Sequence, residues 1–382
     1  MANPQTIKHR FHVLDIFRGI FASMVVFFHL SPFADTPLLN NNFVENSDMF
    51  VDFFFVLSGF VITYSYPKIS NGAELGGFIK KRLLRIYPLH VILLFCFLII
   101  ENIKLYFSTY IHINQPYNES NNVLTFFTSL FLVNSVKFPG IRDVSWNIPS
   151  WSISAEMICY LIFGGALVLL HKARLQSVKY AVLGSLPFLG LFILIAITGR
   201  SELNYSFDYG FLRGIIGFFT GSVCYYVFNK AYPVLSQIKA SYFSFLEILT
   251  MLVLGLMIYY GTALKAIGFV YEFIFFLAIL TFSFERGIIS ALLKKSGLLK
   301  NIGTYSYSIY MTHTLLLSLF NVVFIRLLKL PPSAYVYLVF LNYYLIYIVS
   351  RWTYNHIEMR FTKGIRLPQN NRNKVLSNST HH

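Results

Sequence analysis

The chain has 382 residues, of which 56% are hydrophobic and only 12% are charged. Soluble domains carry about 25% charged residues, so this composition excludes an ordinary soluble protein and indicates a polytopic membrane protein. The formal net charge of +15 does not indicate a nucleic-acid partner, because the basic residues are spread over alternate loops rather than gathered in one basic region.

Ten hydrophobic segments are predicted to cross the membrane, and most have the roughly 20 residues that a helix needs to span the hydrocarbon core. In chain order they are 13–30, 49–66, 88–108, 153–170, 180–198, 211–228, 246–260, 264–283, 305–327 and 335–354. The predicted fold class is therefore all-α, a membrane bundle of about ten helices.

The loop charges predict how this bundle is oriented. The loops on the side of the N-terminus, together with both tails, carry 21 Lys and Arg residues, whereas the opposite loops carry 4. Because basic loops stay on the cytoplasmic side, both termini are predicted to be cytoplasmic.

The organisation outside the spans is simple. Segment 123–134 is too short to cross upright, so we predict that it is re-entrant or interfacial. Residues 1–12 are predicted to form a cytoplasmic tail, 13–358 one membrane domain without an appended soluble domain, and 359–382 a basic, disordered tail. The cysteines lie in predicted spans without metal-ligand spacing, so we expect packing residues and no metal site.

The first span contains ionisable residues that a lipid-facing helix should not have. Arg18 and His29 are eleven residues apart, which places them about 20° apart around a helix and about 16 Å apart along its axis. Asp15 lies within about 40° of the same stripe. Such groups normally face a protein interior or an aqueous cavity and mark function, so this stripe indicates a site that runs through the membrane.

Residues 80–88 (KKRLLRIYP) place Arg82 and Arg85 on one helix face, three residues apart. One interpretation is that these charges only set the topology beside anionic headgroups. The other is that the two guanidinium groups bind phosphate, for which their geometry is suited.

Residues 146–156 (WNIPSWSISAE) lead into the fourth span. Trp146 and Trp151 fit the usual aromatic belt at the membrane interface. Ser152 and Glu156 are four residues apart, and a carboxylate one turn into a span needs a partner or a cavity. Glu156 could orient an imidazole, position a hydroxyl group or be held protonated.

The second span, around residues 51–62 (VDFFFVLSGFVI), has an acidic residue near its outer end. Asp52 could be a snorkelling interfacial acid or a partner for His29 at similar depth, and the sequence leaves both open. Ser58 and Gly59 lie in mid-membrane, where small residues usually let helices approach closely.

The ninth span opens with residues 304–313 (TYSYSIYMTH). Its tyrosines, including Tyr310, fit an interfacial belt. His313 is interpreted either as a buried histidine bonded to a neighbouring helix or, with His29, as part of a functional site.

Taken together and in this order, five segments resemble motifs of the acyltransferase-3 family of membrane acyltransferases. They are the Arg18–His29 spacing of a basic residue, ten intervening residues and a histidine, followed by FFFVLSGFVI, RLLRIYP, SWSISAE and SYSIYMTH. The resemblance covers about residues 11–160 and 303–315. It implies transfer of an acyl group, commonly acetyl, from acyl-coenzyme A to a carbohydrate hydroxyl group.

The resemblance and the predicted topology together lead to a hypothesis for the site. A basic cytoplasmic end would hold the coenzyme A phosphates, and His29 near the outer face would act as a general base, since an unperturbed imidazole titrates at about 6.5. A covalent acyl-histidine relay is the alternative. The hypothesis assigns His29, Glu156 and Asp15 to catalysis, Arg18, Arg82, Arg85 and Tyr87 to coenzyme A, and Asp52, Trp146, Trp151, Ser152, Tyr310 and His313 to the acceptor.

The expected partners are membrane lipids, acyl-coenzyme A and a glycan or lipid-linked oligosaccharide. The expected location is a bacterial cytoplasmic (inner) membrane, and the sequence is compatible with a homo-oligomer. Two other classes of function stay open. Buried acidic and basic residues also occur in proton-coupled transporters, although no second half of the chain mirrors the first. A non-catalytic component of a polysaccharide export complex is the other alternative.

Overall fold

The structure is a computed structural model that describes residues 10–33, 36–110 and 117–363. Its regular secondary structure within these ranges is entirely helical. The α-helices are α1 (His12–Leu30), α2 (Asn42–Glu45), α3 (Phe50–Ser65), α4 (Gly72–Phe107), α5 (Val123–Leu130), α6 (Ser150–Lys172), α7 (Lys179–Thr198), α8 (Gly210–Leu235), α9 (Ala240–Tyr259), α10 (Gly261–Leu264), α11 (Phe269–Ser283), α12 (Ile288–Leu293), α13 (Gly297–Asn321), α14 (Tyr335–Thr353) and α15 (Met359–Lys363).

Eight helical segments among the described residues are long and apolar enough to cross a membrane. They are His12–Phe33, Asn42–Ser65, Gly72–Phe107, Ser150–Lys172, Gln176–Thr198, Gly210–Leu235, Ala240–Tyr259 and Gly297–Phe324. A ninth would consist of Gly261–Ile267 and Phe269–Ser283, which are bent by 106° at Gly268 and form either a broken span or a re-entrant loop.

Each of the ten predicted spans overlaps a helix, and the all-α class is confirmed. The count of ten and the cytoplasmic position of both termini stay predictions. Helix α14, which corresponds to the tenth predicted span, has 19 residues but five tyrosines and is not among the eight apolar segments. Segment 123–134 contains only the eight-residue helix α5, which is about 12 Å long and therefore too short to cross.

Two boundaries differ from the prediction. Helix α4 begins at Gly72, where Asn71 caps it, and its 36 residues extend about 54 Å, well beyond the hydrocarbon thickness. The predicted span 88–108 is only its second half. Met359–Lys363 is helical, so the predicted disorder is wrong for these five residues. The rest of that tail and residues 1–9 lie outside the described residues.

Glycines bring two pairs of helices into backbone contact. A Cβ atom placed on Gly59 of α3 would overlap the carbonyl oxygen of Phe218 on α8, and one on Gly221 of α8 would overlap that of Val56. Helices α1 and α13 meet in the same way at Gly19 and Gly303. Small residues allow this close packing where lipid offers no hydrophobic driving force between helices.

The packing of these pairs positions the polar residues. Helix α13 lies along α1, while α4 and α6 pack against each other and α4 also touches α13. Helix α3 lies against α8, which is flanked by α6, α7 and α11. The inward faces of α1, α3, α4, α6 and α13, together with residues 354–362, surround the cavities described next.

Candidate active site

Two cavities lie among these elements and share several lining residues. The wider one, here called the vestibule, has a volume of about 490 Å³. The narrower one, here called the chamber, has a volume of about 140 Å³. The residues that line both are Arg18, Leu57, Val61, Arg85 and Tyr307. Further polar residues are Arg10, Asp15, Thr304 and Glu358 in the vestibule, and Ser58, Arg82, Ser152, Glu156, Tyr160, Ser306 and Tyr310 in the chamber.

Arg18 lies where the two cavities meet, and helix α13 holds its guanidinium group. The Nε atom donates to the hydroxyl group of Ser306 at 2.7 Å, and Nη2 donates to the carbonyl oxygen of Gly303 at 3.3 Å. Asp15, one turn earlier on α1, lies 3.3 Å from Nη2. The close contact of α1 with α13 therefore orients Arg18 while part of its side chain stays open to the cavities.

Arg82 and Arg85 approach the same place from α4. Arg82 lies 5.5 Å from the ring centre of Tyr66 and donates to its hydroxyl group at 3.4 Å. The side chain of Arg85 is exposed and borders both cavities. It forms no ion pair or hydrogen bond with any other residue that the structure describes. An unpaired guanidinium group beside two further arginines is well suited to an anionic ligand.

Glu156 lies in the wall of the chamber and is bonded to two hydroxyl groups. Ser58 of α3 donates a short hydrogen bond to Oε1, and Tyr160, one turn along α6, donates to the same atom at 2.5 Å. These two contacts are compatible with the positioning of a hydroxyl group, and the role of Glu156 stays a prediction. Gly59 packs as predicted, but Ser58 has a polar partner as well.

Tyr310 lines the chamber but not the vestibule. The hydroxyl group of Ser152 donates to that of Tyr310 at 3.1 Å, and the ring of Phe54 meets the Tyr310 ring edge-on at 5.7 Å. All three residues line the chamber.

His29 and His313 contact each other beyond Tyr310. Their ring centres are 4.9 Å apart, and Nε2 of His313 lies 3.3 Å from Nδ1 of His29. The carbonyl oxygen of Tyr310 is 2.7 Å from Nδ1 of His313. Neither histidine lines the vestibule or the chamber. His313 is thus placed behind His29 rather than at a surface where an acceptor would bind.

Asp15 cannot orient the imidazole of His29. The two residues are fourteen positions apart on α1, which corresponds to about 21 Å. Asp15 instead pairs with Arg18 and, at 3.2 Å, with Arg10. Asp15 therefore lies beside two arginine charges at the vestibule and not beside the imidazole.

Asp52 is neither a snorkelling interfacial acid nor a partner of His29. Its side chain is fully buried and forms two hydrogen bonds of 2.7 Å with the guanidinium group of Arg213 on α8. Trp151 lies over Arg213, whose central carbon is 5.3 Å from the indole ring. Asp52 and Trp151 line neither the vestibule nor the chamber. Their contacts with Arg213 hold α3, α6 and α8 together, and neither side chain lies where a substrate would bind.

Trp146 and Tyr87 also point away from the cavities. The indole nitrogen of Trp146 donates to the hydroxyl group of Thr125 at 3.1 Å, and the hydroxyl group of Tyr87 donates to the carbonyl oxygen of Leu130 at 2.9 Å. Both residues hold the short helix α5. Trp146 and Trp151 are buried, so the interpretation as an aromatic belt is wrong for both.

Sequence reasoning missed several residues of the site, above all Glu358. Its carboxylate accepts a short hydrogen bond from Ser308 of α13 and borders the vestibule opposite Arg85. The other missed residues are Tyr66, Tyr160, Arg213 and Ser306. Glu358 was detectable only as an acidic residue at the end of the last apolar segment.

The comparison with protein families identifies the chain. The acyltransferase-3 family model, described as "Acyltransferase domain", matches residues 11–351. The chain belongs to the acyltransferase-3 family. This match includes the middle spans, where the chain has no recognisable motif. It confirms the resemblance to the family that the five motifs indicate.

One curated relative is "Protein 2 in picA locus" of Rhizobium radiobacter, 37% identical over 92 residues. The match covers 24% of this acyltransferase-3 chain and 45% of the relative, so the chain spans less than half the length of the protein it matches. No solved structure matches the chain.

Proposed function

We propose that this protein transfers an acyl group, with acetyl as the expected group, from cytoplasmic acyl-coenzyme A to a hydroxyl group of a surface carbohydrate in a bacterial inner membrane. The observation that carries the proposal is the passage from an arginine-lined vestibule into a narrow chamber, in a chain of an acyltransferase family.

The vestibule suits the phosphate end of coenzyme A. Its volume of about 490 Å³ falls within the range of about 300–1,000 Å³ that is usual for small-molecule sites. Arg18 and Arg85, which line both cavities, and Arg82, which lines the adjoining chamber, would hold the phosphates. Arg85 has no ion-pair or hydrogen-bond partner of its own among the described residues. The vestibule lies at the end of α1 that the loop charges predict to be cytoplasmic, where coenzyme A occurs.

The chamber suits an extended, mostly uncharged arm. Leu57, Val61 and Ile153 provide apolar contacts, and the hydroxyl group of Ser58, held by Glu156, provides a polar one. A thioester arriving from the vestibule would come to rest beside Tyr310.

His29 supplies the base for the transfer. As the acceptor hydroxyl oxygen attacks the thioester carbonyl carbon, Nε2 of His29 takes the hydroxyl proton. The carbon–sulfur bond breaks, and the leaving thiolate takes that proton from Nε2 of His29, which gives the free thiol and returns His29 to its neutral form. General base catalysis of this kind contributes roughly 10²–10⁴-fold to a rate. Rotation of Tyr310 would open the chamber toward His29.

The direct test is an assay of purified protein with acetyl-coenzyme A and the cell-envelope glycan fraction of the host. Glycan-dependent release of free thiol supports the proposal, whereas proton-dependent solute uptake into vesicles would favour a transporter. His29→Ala should abolish thiol release while leaving binding of acetyl-coenzyme A intact. A folded His29→Ala variant with wild-type transfer would overturn the assignment of the base.

Mass spectrometry of the surface glycan, with and without the gene, identifies the acyl group and the acceptor together. An added mass of one acetyl group on a sugar, lost when the gene is deleted, is the expected result. An unchanged glycan would contradict the proposal and leave a scaffold role in a polysaccharide export complex.

A further inference from the structure

The contacts of the two histidines determine which nitrogen of each ring carries the proton. In a neutral imidazole one nitrogen donates and the other accepts, whereas a backbone carbonyl group can only accept. Nδ1 of His313 lies 2.7 Å from the carbonyl oxygen of Tyr310. Neutral His313 therefore carries its proton on Nδ1, and its Nε2 atom presents a lone pair.

The same reasoning applies to His29. Its Nδ1 atom lies 2.9 Å from the carbonyl oxygen of Val25 and 3.3 Å from Nε2 of His313. Both neighbours are acceptors, so Nδ1 of His29 must carry a proton. The remaining nitrogen, Nε2, has no hydrogen-bond partner among the described residues and keeps its lone pair.

We propose that His313 is a positioning residue that, together with the carbonyl group of Val25, holds His29 in the tautomer with a bare Nε2 atom. The inference rests on the proposed function, in which that atom is the base. When Nε2 takes a proton from the acceptor, the Nδ1–H group of His29 is shared between the Val25 carbonyl oxygen and the lone pair of His313, and both acceptors stabilise the imidazolium charge. No proton leaves the pair during this step.

The burial of the two residues agrees with this division of roles. His313 has no exposed surface, whereas His29 is partly exposed. His313 is bonded to the carbonyl oxygen of Tyr310, one turn earlier on α13, and the side chain of Tyr310 lines the chamber. His313 therefore acts through His29 and does not itself contact the acceptor.

The test compares His313→Leu with His313→Gln. The leucine variant fills the space but removes the acceptor, whereas the amide oxygen of glutamine can accept from Nδ1–H of His29. We expect His313→Leu to lower kcat about 100-fold, within the range of general base catalysis, with an unchanged KM for acetyl-coenzyme A. His313→Gln should recover at least a tenfold part of that loss.

A structural role would give a different result. Equal losses in both variants, or a kcat of His313→Leu close to wild type, would overturn the inference. Titration of acetyl-coenzyme A binding to each variant reports whether the vestibule and chamber are still folded.

A second measurement does not depend on the reaction. Labelling by diethyl pyrocarbonate, followed by peptide mass spectrometry, reports the reactivity of the bare nitrogen of His29. Labelling of His29 should be severalfold slower in His313→Leu and restored in His313→Gln; equal rates in all three proteins would contradict the pairing. If the wild-type protein transfers no acyl group, the proposed function fails, and this labelling still decides whether the pair exists.

Discussion

Two aspartate–arginine pairs among the described residues of the membrane helices, Asp52 with Arg213 and Asp15 with Arg18, are built in opposite ways. Asp52 and Arg213 share two hydrogen bonds of 2.7 Å with side chains 0% and 4% exposed. Asp15 and Arg18 share one contact of 3.3 Å, both side chains are 28% exposed, and both line the vestibule. A pair whose hydrogen bonds are satisfied internally joins helices, whereas a loosely paired arginine at a cavity keeps donors for a ligand.

The largest expected effect is the loss of the buried pair. Asp52→Ala leaves the Arg213 charge buried without a partner, which should reduce the free energy of unfolding by about 3–5 kcal/mol. Thermal unfolding of the detergent-solubilised protein, followed by size-exclusion chromatography, measures the loss. Asp52→Leu combined with Arg213→Met should recover most of it, because no unpaired charge remains. A stable Asp52→Ala protein with normal transfer would contradict the structural role assigned to the buried pair.

The next effect is on donor binding alone. Arg85→Ala should weaken binding of acetyl-coenzyme A about 10–100-fold, since a hydrogen bond to a charged group contributes about 1.5–3 kcal/mol, without changing the thermal unfolding. Isothermal titration calorimetry measures the affinity. The matched control is Lys80→Ala, an exposed basic residue of the same helix that lines neither cavity. Equal affinities of the two variants would remove the role assigned to Arg85.

A smaller effect is expected at the open pair. Asp15→Asn removes a carboxylate that competes with phosphates for Arg18, so acetyl-coenzyme A should bind severalfold more tightly. Stability should change by less than about 1 kcal/mol, because partly exposed ion pairs contribute little. Calorimetry and thermal unfolding measure the two quantities. A destabilisation as large as that of Asp52→Ala would show that the pairs are alike.

The smallest effect is that of salt. The screening length falls from about 8 Å at 0.15 M to about 3 Å at 1 M. Raising the salt concentration over this range should weaken binding of acetyl-coenzyme A severalfold. The difference in melting temperature between wild type and Asp52→Ala should stay the same, since a buried pair is screened much less. If that difference in melting temperature depends on salt, Asp52 is accessible to water and the pair is not buried as described.

Sequence reasoning found the residues of the site more reliably than their partners. Arg18 and His29 were placed on one stripe by helical periodicity, and both do contact α13. Asp52 was left between two interpretations, and the residue that decides its role, Arg213, lies 161 positions away on α8. Periodicity describes the face of a single helix and contains no information about which distant helix packs there.

The amino-acid sequence by itself determined the all-α membrane class, the approximate spans, the family and the basic and imidazole residues of the first helix. These follow from local quantities: hydropathy, helical periodicity and the spacing of motifs. Only the tertiary structure decided that Tyr87, Trp146 and Asp52 lie outside the cavities, that Glu358 borders the vestibule and that His313 stands behind His29. Burial and hydrogen-bond partners depend on which helices touch, and glycine contacts between distant segments, such as Gly19 with Gly303, set those distances.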